Sequence, residues 1–182
     1  MLHRALRKII SVLENLKVPY ALIGGLALAF HKVVRATEDV DLLILSSPAE
    51  MSKLAQQVSA NGLPTSARKG ASGDPVAGVV VVQVPVSRGQ LACHLLLPSA
   101  RWQVEAVRNA RVFEVEGSPV RVVQARDLFL LKLYAEGPQD LLDASQLLRM
   151  QDEETRNAWK DAASKVHLRD ELKRCQKFME DN

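Results

Sequence analysis

Apolar residues are spaced in two ways along the chain, at helical intervals in some segments and in short unbroken runs in others. The helical spacing predicts helices at residues 2–16, 26–30, 48–60, 99–109, 127–136, 139–150, 152–164 and 166–179. The unbroken apolar or β-branched runs predict strands at residues 20–23, 41–45, 76–85, 91–97, 112–115 and 120–123. Strands interleaved with helices favour an α/β (α+β) fold, in which helices flank a mixed sheet of about five strands.

The types of secondary structure that the sequence predicts change near residue 123. Strands and helices alternate before this point, whereas only helices are predicted after it. We therefore expect a core at residues 1–123 and a C-terminal helical region at residues 124–182 that packs on the core. Residues 64–76 are polar and rich in glycine and serine, which predicts a flexible loop, and residues 87–90 predict a turn.

A pair of glycines separates the first predicted strand from the helix that follows it. Gly24 and Gly25 come directly after the apolar run at residues 20–23. Glycine allows a ligand to approach the backbone, and the N-terminus of a helix carries partial positive charge. The pair therefore indicates a turn that cradles phosphate groups, although an ordinary turn is the simpler explanation of Gly-Gly alone.

Two carboxylates stand two residues apart at the start of the second predicted strand. Asp39 and Asp41 have the spacing that places side chains on the same face of a strand. Their charges repel each other unless a cation lies between them. Mg²⁺ prefers oxygen ligands and is commonly held by one or two carboxylates together with substrate phosphates. With the Gly-Gly turn, the pair predicts phosphoryl or nucleotidyl transfer that depends on Mg²⁺ or Mn²⁺.

Composition sets limits on the compartment and on the partners. The chain has 182 residues, 47% of them hydrophobic, and a net charge of +3. This mild basicity permits a nucleotide or RNA partner without requiring one. No apolar run reaches the length of a membrane span, and Cys93 and Cys175 have neither zinc-site spacing nor a disulfide pattern. We therefore expect a cytoplasmic protein that does not enter a membrane.

The motifs around the two glycines and the two aspartates form a recognisable series. The series reads Gly24-Gly25, then Arg35-x-Thr37-x-Asp39-Val40-Asp41. It resembles the signature of the polymerase-beta-type nucleotidyltransferases, and most closely the small prokaryotic branch that includes AbiEii-like toxin nucleotidyltransferases. The resemblance implies transfer of a nucleoside monophosphate from an NTP to an RNA (such as a tRNA end), a protein or a small-molecule acceptor. It also implies a cognate antitoxin or a homodimer as a partner.

Within this resemblance each residue of the series has an expected role. Asp39 and Asp41 would be catalytic and would bind two metal ions, or a single ion. Gly24, Gly25, Arg35 and Thr37 would lie at the nucleotide. Arg35 is expected to brace the turn, and a phosphate contact is the alternative.

One position departs from the pattern of the family. Members usually carry a third carboxylate on a later strand, and the matching residue here is His94. Imidazole is a poorer ligand for Mg²⁺ than a carboxylate is. Three interpretations remain open: His94 is a catalytic general base, catalysis is weakened while nucleotide binding is retained, or His94 is a hydrogen-bonded structural histidine.

The resemblance continues through residues 117–143. It implies that Lys132 and Asp140 contribute to the nucleotide pocket, whereas Gln139 stands where a lysine is usual. The alternatives are a surface lysine on an amphipathic helix and a charge in the first turn of a helix. Residues 152–182 carry no motif, and their two helices either pack on the core or bind a partner.

Overall fold

A computed structural model describes residues 1–87 and 89–180. The helices are α1 (Leu2–Asn15), α2 (Gly24–Phe30), α3 (Met51–Ala60), α4 (Arg101–Arg108), α5 (Ala125–Ala135), α6 (Pro138–Arg149), α7 (Glu153–Lys165) and α8 (Arg169–Glu180). The strands are β1 (Tyr20–Ile23), β2 (Val40–Ile44), β3 (Thr65–Lys69), β4 (Val76–Val86), β5 (Gly89–Pro98), β6 (Arg111–Val115) and β7 (Ser118–Val122). The predicted turn at residues 87–90 includes Arg88, which lies outside the described residues.

The seven strands form one mixed sheet in the order β3-β4-β5-β2-β1-β7-β6. The α/β fold class is therefore confirmed, but the predicted number of about five strands is wrong. The β6–β7 hairpin joins the main sheet because β7 pairs with β1 in parallel through Leu22 and Val122. Strand β3 lies within the segment that the sequence predicted to be a flexible loop. Its side chains are mostly exposed and polar, and it is held by backbone pairing with β4, which a hydrophobic pattern cannot indicate.

The core is centred on β1 and β2. All four residues of β1 are buried, and Asp41 is the one residue of β2 that is not. Strands covered on both faces are expected to be apolar along their whole length, as β1 is and as β2 is at every position except Asp41. Asp41 is therefore the one polar and partly exposed residue of an otherwise buried strand, which indicates a functional role for its carboxylate.

The chain after β7 is helical throughout its described part, residues 125–180. Helix α5 contacts α2, and α6 packs against both α5 and α8. The rings of Phe129 in α5 and Trp159 in α7 lie 5.5 Å apart between centroids. These contacts join the helices to the body of the protein, and the boundary between residues 123 and 124 stays a prediction.

Helix α3 begins three residues later than predicted. The sequence placed its start at Pro48, whereas the first helical residue is Met51. The side chains of Ser47 and Glu50 are hydrogen-bonded to each other at 2.8 Å, which holds residues 48–50 as a turn before the helix.

Across the described part of the chain, every helix is too short or too polar to span a bilayer.

Candidate active site

The sheet register places Asp41 and His94 on neighbouring strands at the same level. In the parallel pairing of β2 with β5, Asp41 is the direct partner of His94. The Nδ1 atom of His94 lies 2.8 Å from Oδ1 of Asp41, within hydrogen-bond distance, and 3.8 Å from Oδ2 of Asp39. One ligand atom from each of the three residues lies within 4.8 Å of the other two. We call Asp39, Asp41 and His94 the open cluster.

The open cluster is accessible to solvent and carries unbalanced charge. Its side chains are 42% exposed for Asp39, 22% for Asp41 and 29% for His94. The hydrogen bond to Asp41 raises the pKa of His94; burial acts in the opposite direction, and the negative charges of Asp41 and Asp39 add to the rise. Two carboxylates and one imidazole nitrogen form a donor set that fits one divalent cation, provided that the imidazole is neutral.

The two glycines allow the segment at residues 35–41 to approach the start of α2. Gly24 has a φ of +68°, and a Cβ atom at this position would overlap Oδ2 of Asp41. A Cβ atom on Gly25 would lie 2.9 Å from the Cβ and Oγ1 atoms of Thr37. Glycine is thus required at both positions by this chain's own side chains. The predicted phosphate cradle stays a prediction.

Thr37 and Arg35 fix the shape of the same segment. The hydroxyl of Thr37 donates a hydrogen bond to Oδ1 of Asp39 at 3.2 Å. The guanidinium of Arg35 donates to the carbonyl of Ala36 at 2.8 Å and to the carboxylate of Asp143 in α6 at 3.0 Å. Arg35 therefore braces the turn and also ties it to α6.

Asp143 is the centre of a second group of charged side chains. Its carboxylate is fully buried, with Nε of Arg35 at 3.0 Å and Nζ of Lys132 at 2.9 Å. Lys132 is also buried and lies 2.7 Å from Oδ1 of Asp140. We call Arg35, Lys132, Asp140 and Asp143 the buried cluster. Its two positive and two negative charges balance.

Hydrogen bonds keep Asp143 ionised despite its burial. Burial opposes ionisation, but donors from Lys132, Gln139 and Arg35 outweigh it and lower the pKa of Asp143 below its ordinary value. No site role was predicted for Asp143 from the sequence. A signal was present, because Asp143 lies one helical turn after Asp140 and on the apolar face that includes Leu147.

A cavity of about 220 Å³ lies between the two clusters. Asp41 and Gly24 line it on one side, and Lys132 and Asp140 on the other. The remaining walls are mostly apolar and include Val76, Leu96, Leu128, Leu131 and Tyr134. We call this space the inner cavity. Among the residues predicted at the nucleotide, Gly24, Lys132 and Asp140 line the inner cavity, whereas Gly25, Arg35 and Thr37 do not.

Comparison with solved structures identifies the class of fold. The antibiotic-resistance factor ANT(2'')-Ia aligns with a TM-score of 0.56 at 14% identity, over 90% of this chain and 91% of its own. Its complex with adenylyl-2''-tobramycin gives the same TM-score at 16% identity, over 89% and 96% of the two chains. An antigenic nucleotidyltransferase-like protein from Paracoccidioides brasiliensis gives 0.50 at 16% identity, over 95% and 89%. The chain therefore has a nucleotidyltransferase-like fold.

The sequence comparisons add no closer relative. No protein-family model matches the chain, and no curated protein matches it significantly. At identities of 14% and 16% the structural likeness establishes the fold alone. Any conclusion about activity must therefore rest on the residues of the site.

Proposed function

We propose that this protein transfers a nucleoside monophosphate from an NTP to an acceptor hydroxyl, with the open cluster as the catalytic centre and the inner cavity as the nucleotide site. The observation that carries this proposal is the register of β2 and β5, which sets His94 beside Asp41 with Asp39 in reach. Of the three residues, Asp41 lines the inner cavity, and the fold that holds the cluster is nucleotidyltransferase-like.

The open cluster would hold a single divalent cation, Mg²⁺ or Mn²⁺, through Asp39, Asp41 and His94. Such a cation polarises a phosphoryl group and neutralises developing negative charge. In the transfer, the acceptor oxygen forms a bond to the α-phosphorus, the bond from that phosphorus to the bridging oxygen breaks, and pyrophosphate leaves. The proton of the acceptor hydroxyl passes to water, because the side chains of the open cluster are engaged by the cation.

The residues on the far side of the inner cavity would orient the nucleoside. Asp140 is 28% exposed, so part of its carboxylate can accept hydrogen bonds from a bound nucleotide. Lys132 is held by two carboxylates, so its charge is already compensated, and we assign it to positioning Asp140. Gly24 would border the phosphates because it lines the cavity next to Asp41.

A second candidate function is nucleotide or RNA binding without transfer, in a component of a toxin–antitoxin-like pair. The occurrence of His94 where relatives carry a carboxylate supports it, and the pair itself is supported by the sequence resemblance alone. The substitution His94→Asp separates the two candidates. Pyrophosphate release that appears or rises strongly in this variant supports the second candidate, and release that falls supports the first.

The test of the proposal is a calorimetric titration of each common NTP, with Mg²⁺, with Mn²⁺ and without a cation. The wild type is expected to bind an NTP only when a cation is present. Asp39→Ala/Asp41→Ala is expected to lose this binding, and Asp161→Ala, which removes an exposed carboxylate of α7, is expected to retain it. Absence of NTP binding by the wild type, or equal binding by the double variant, would overturn the proposal.

A further inference from the structure

A larger cavity of about 640 Å³ lies beside the inner cavity, and the two share Tyr134 as a wall. We call it the outer cavity. It is bordered by the start of α4, including Arg101 and Trp102, and by the end of α7 and the residues after it, including Lys165. The outer cavity is open to solvent and adjoins the proposed nucleotide site through Tyr134.

Two features of the outer cavity favour an aromatic ligand. Trp102 and Tyr134 both line it, with ring centroids 5.7 Å apart and planes inclined at 76°. Both side chains are partly exposed. Exposed aromatic rings in a groove are the usual surfaces on which the bases of single-stranded nucleic acids stack.

The charges of the outer cavity favour an anion. Both acids of the cavity lie beside a basic residue: Glu105 is 2.9 Å from Arg108, and Glu171 is 3.5 Å from Arg174, which also pairs with Glu136 at 2.9 Å. Its cations are exposed, and neither Arg101 nor Lys165 has an ion-pair partner among residues 1–87 and 89–180. Arg101 and Lys165 therefore offer the cavity two positive charges that no ion pair within residues 1–87 and 89–180 engages.

The position of Arg101 strengthens this argument. Arg101 is the first residue of α4, and the N-terminus of a helix carries partial positive charge. A cation at this end destabilises a helix, so the stability of α4 does not explain the arginine. An anionic ligand in the outer cavity does explain it, because such a ligand would neutralise both charges.

We propose that the outer cavity is an acceptor subsite that binds the end of a single-stranded RNA. Its bases lie against Trp102 and Tyr134, and its phosphates lie against Arg101 and Lys165. The assignment as an acceptor subsite rests on the proposed nucleotidyl transfer, whereas the binding of RNA can be measured separately. The same charges disfavour an acceptor rich in amino groups, such as the tobramycin unit in the ligand of the fold neighbour ANT(2'')-Ia.

The test measures fluorescence anisotropy of a short, end-labelled oligoadenylate RNA at low salt, without NTP or cation. In Arg101→Glu/Lys165→Glu, affinity is expected to fall by about tenfold or more, and the slope of log affinity against log salt to become shallower by about 1.4, the value for two lost phosphate contacts. Arg4→Glu/Lys53→Glu makes the same change in net charge at exposed positions outside the outer cavity, so it is expected to bind nearly as the wild type does. Trp102→Leu is expected to weaken binding by about fivefold or more, because it removes a stacking surface.

Several outcomes would overturn the inference. One is equal RNA affinity in the outer-cavity variant and its charge-matched control, and another is tobramycin binding by a wild type that does not bind the RNA. If the charge reversals impair folding, Arg101→Ala/Lys165→Ala serves as the second variant, with Arg4→Ala/Lys53→Ala as its control.

NTP titrations on the same variants separate the two proposals. Intact cation-dependent NTP binding with lost RNA binding supports both of them. RNA binding that depends on Arg101 and Lys165 in a protein that binds no NTP would retain the RNA site but refute its role as an acceptor subsite. NTP binding without RNA binding would refute the outer-cavity inference alone.

Discussion

The segment at residues 35–41 contributes to two groups of ionisable side chains that differ in exposure and in charge balance. In the buried cluster, two cations face two carboxylates, and Asp143 is fully enclosed. In the open cluster, two carboxylates face one imidazole, and all three side chains reach solvent. The buried cluster is balanced around an enclosed carboxylate and needs no further charge, although Arg35 and Asp140 at its edge reach solvent. The open cluster is unbalanced and is completed by a cation. The first is suited to holding the segment in place, and the second to binding and chemistry.

The largest effect is expected from removing the centre of the buried cluster. Asp143→Ala would leave Lys132 buried without one of its two carboxylates and would release Arg35. Loss of one partner from a buried ion pair costs about 3–5 kcal/mol, and we expect the free energy of unfolding to fall by that amount. Urea unfolding followed by circular dichroism measures it.

The matched substitution in the open cluster is Asp39→Ala. Because Asp39 is 42% exposed, we expect the free energy of unfolding to change by less than about 1 kcal/mol. Equal losses in the Asp143 and Asp39 variants would contradict the division into a stabilising cluster and a binding cluster.

A substitution at Gly24, which lies against Asp41, is expected to lower the free energy of unfolding by less than Asp143→Ala does. Gly24→Ala and Gly62→Ala both place a side chain on left-handed backbone, at φ values of +68° and +77°. Each is expected to lower the free energy of unfolding by about 1–2 kcal/mol. Gly24→Ala also forces Asp41 to move, whereas a Cβ atom on Gly62 meets no described atom within 4 Å.

Cation-dependent NTP binding distinguishes the two glycine variants. We expect Gly24→Ala to weaken it by about tenfold or more, and Gly62→Ala to leave it unchanged. Calorimetry with Mn²⁺ present provides the measurement. An unchanged NTP affinity in Gly24→Ala would mean that cation-dependent binding does not depend on the present position of the Asp41 carboxylate.

The smallest expected effect is a change in protein stability at acidic pH. Hydrogen bonds outweigh burial and lower the pKa of Asp143 in the folded state, so its carboxylate stabilises the protein above the ordinary aspartate pKa of about 3.9. That contribution is lost as the pH falls through the lowered pKa. The difference in urea midpoint between wild type and Asp143→Asn is therefore expected to be largest near neutral pH and to shrink below about pH 3.9. A difference that is constant with pH would show that Asp143 acts through packing rather than through its charge.

The sequence predicted the open cluster better than the buried one. Asp39 and Asp41 were found from their spacing, and His94 from the pattern of the family, because each signal is local in the chain. The pairing of Arg35 with Asp143 joins residues 108 positions apart and depends on how α6 packs, which no local pattern indicates. Asp143 was not assigned, although its spacing from Asp140 is a local signal, because its partner Arg35 is distant in the sequence; Lys132 and Asp140 beside it were assigned.

In the fold too, elements marked by a local apolar run were predicted, whereas features that depend on the pairing of strands were not. The apolar runs of β1, β2, β4 and β5 predicted strands with nearly correct limits, because burial on the sheet requires such runs. Strand β3 was predicted as loop because its side chains are exposed and its pairing is made by the backbone. The sheet of seven strands instead of five follows from this edge strand and from the parallel pairing of β7 with β1.

The most direct test of the central claim is a titration of Mn²⁺ into the protein, followed by electron paramagnetic resonance, which detects the free ion. The wild type is expected to bind a single Mn²⁺ ion. Asp39→Asn/Asp41→Asn, which keeps the size of both side chains, is expected to bind none, and Asp161→Asn is expected to bind as the wild type does. Equal Mn²⁺ binding by the wild type and the double variant would contradict the claim that the open cluster is a cation site.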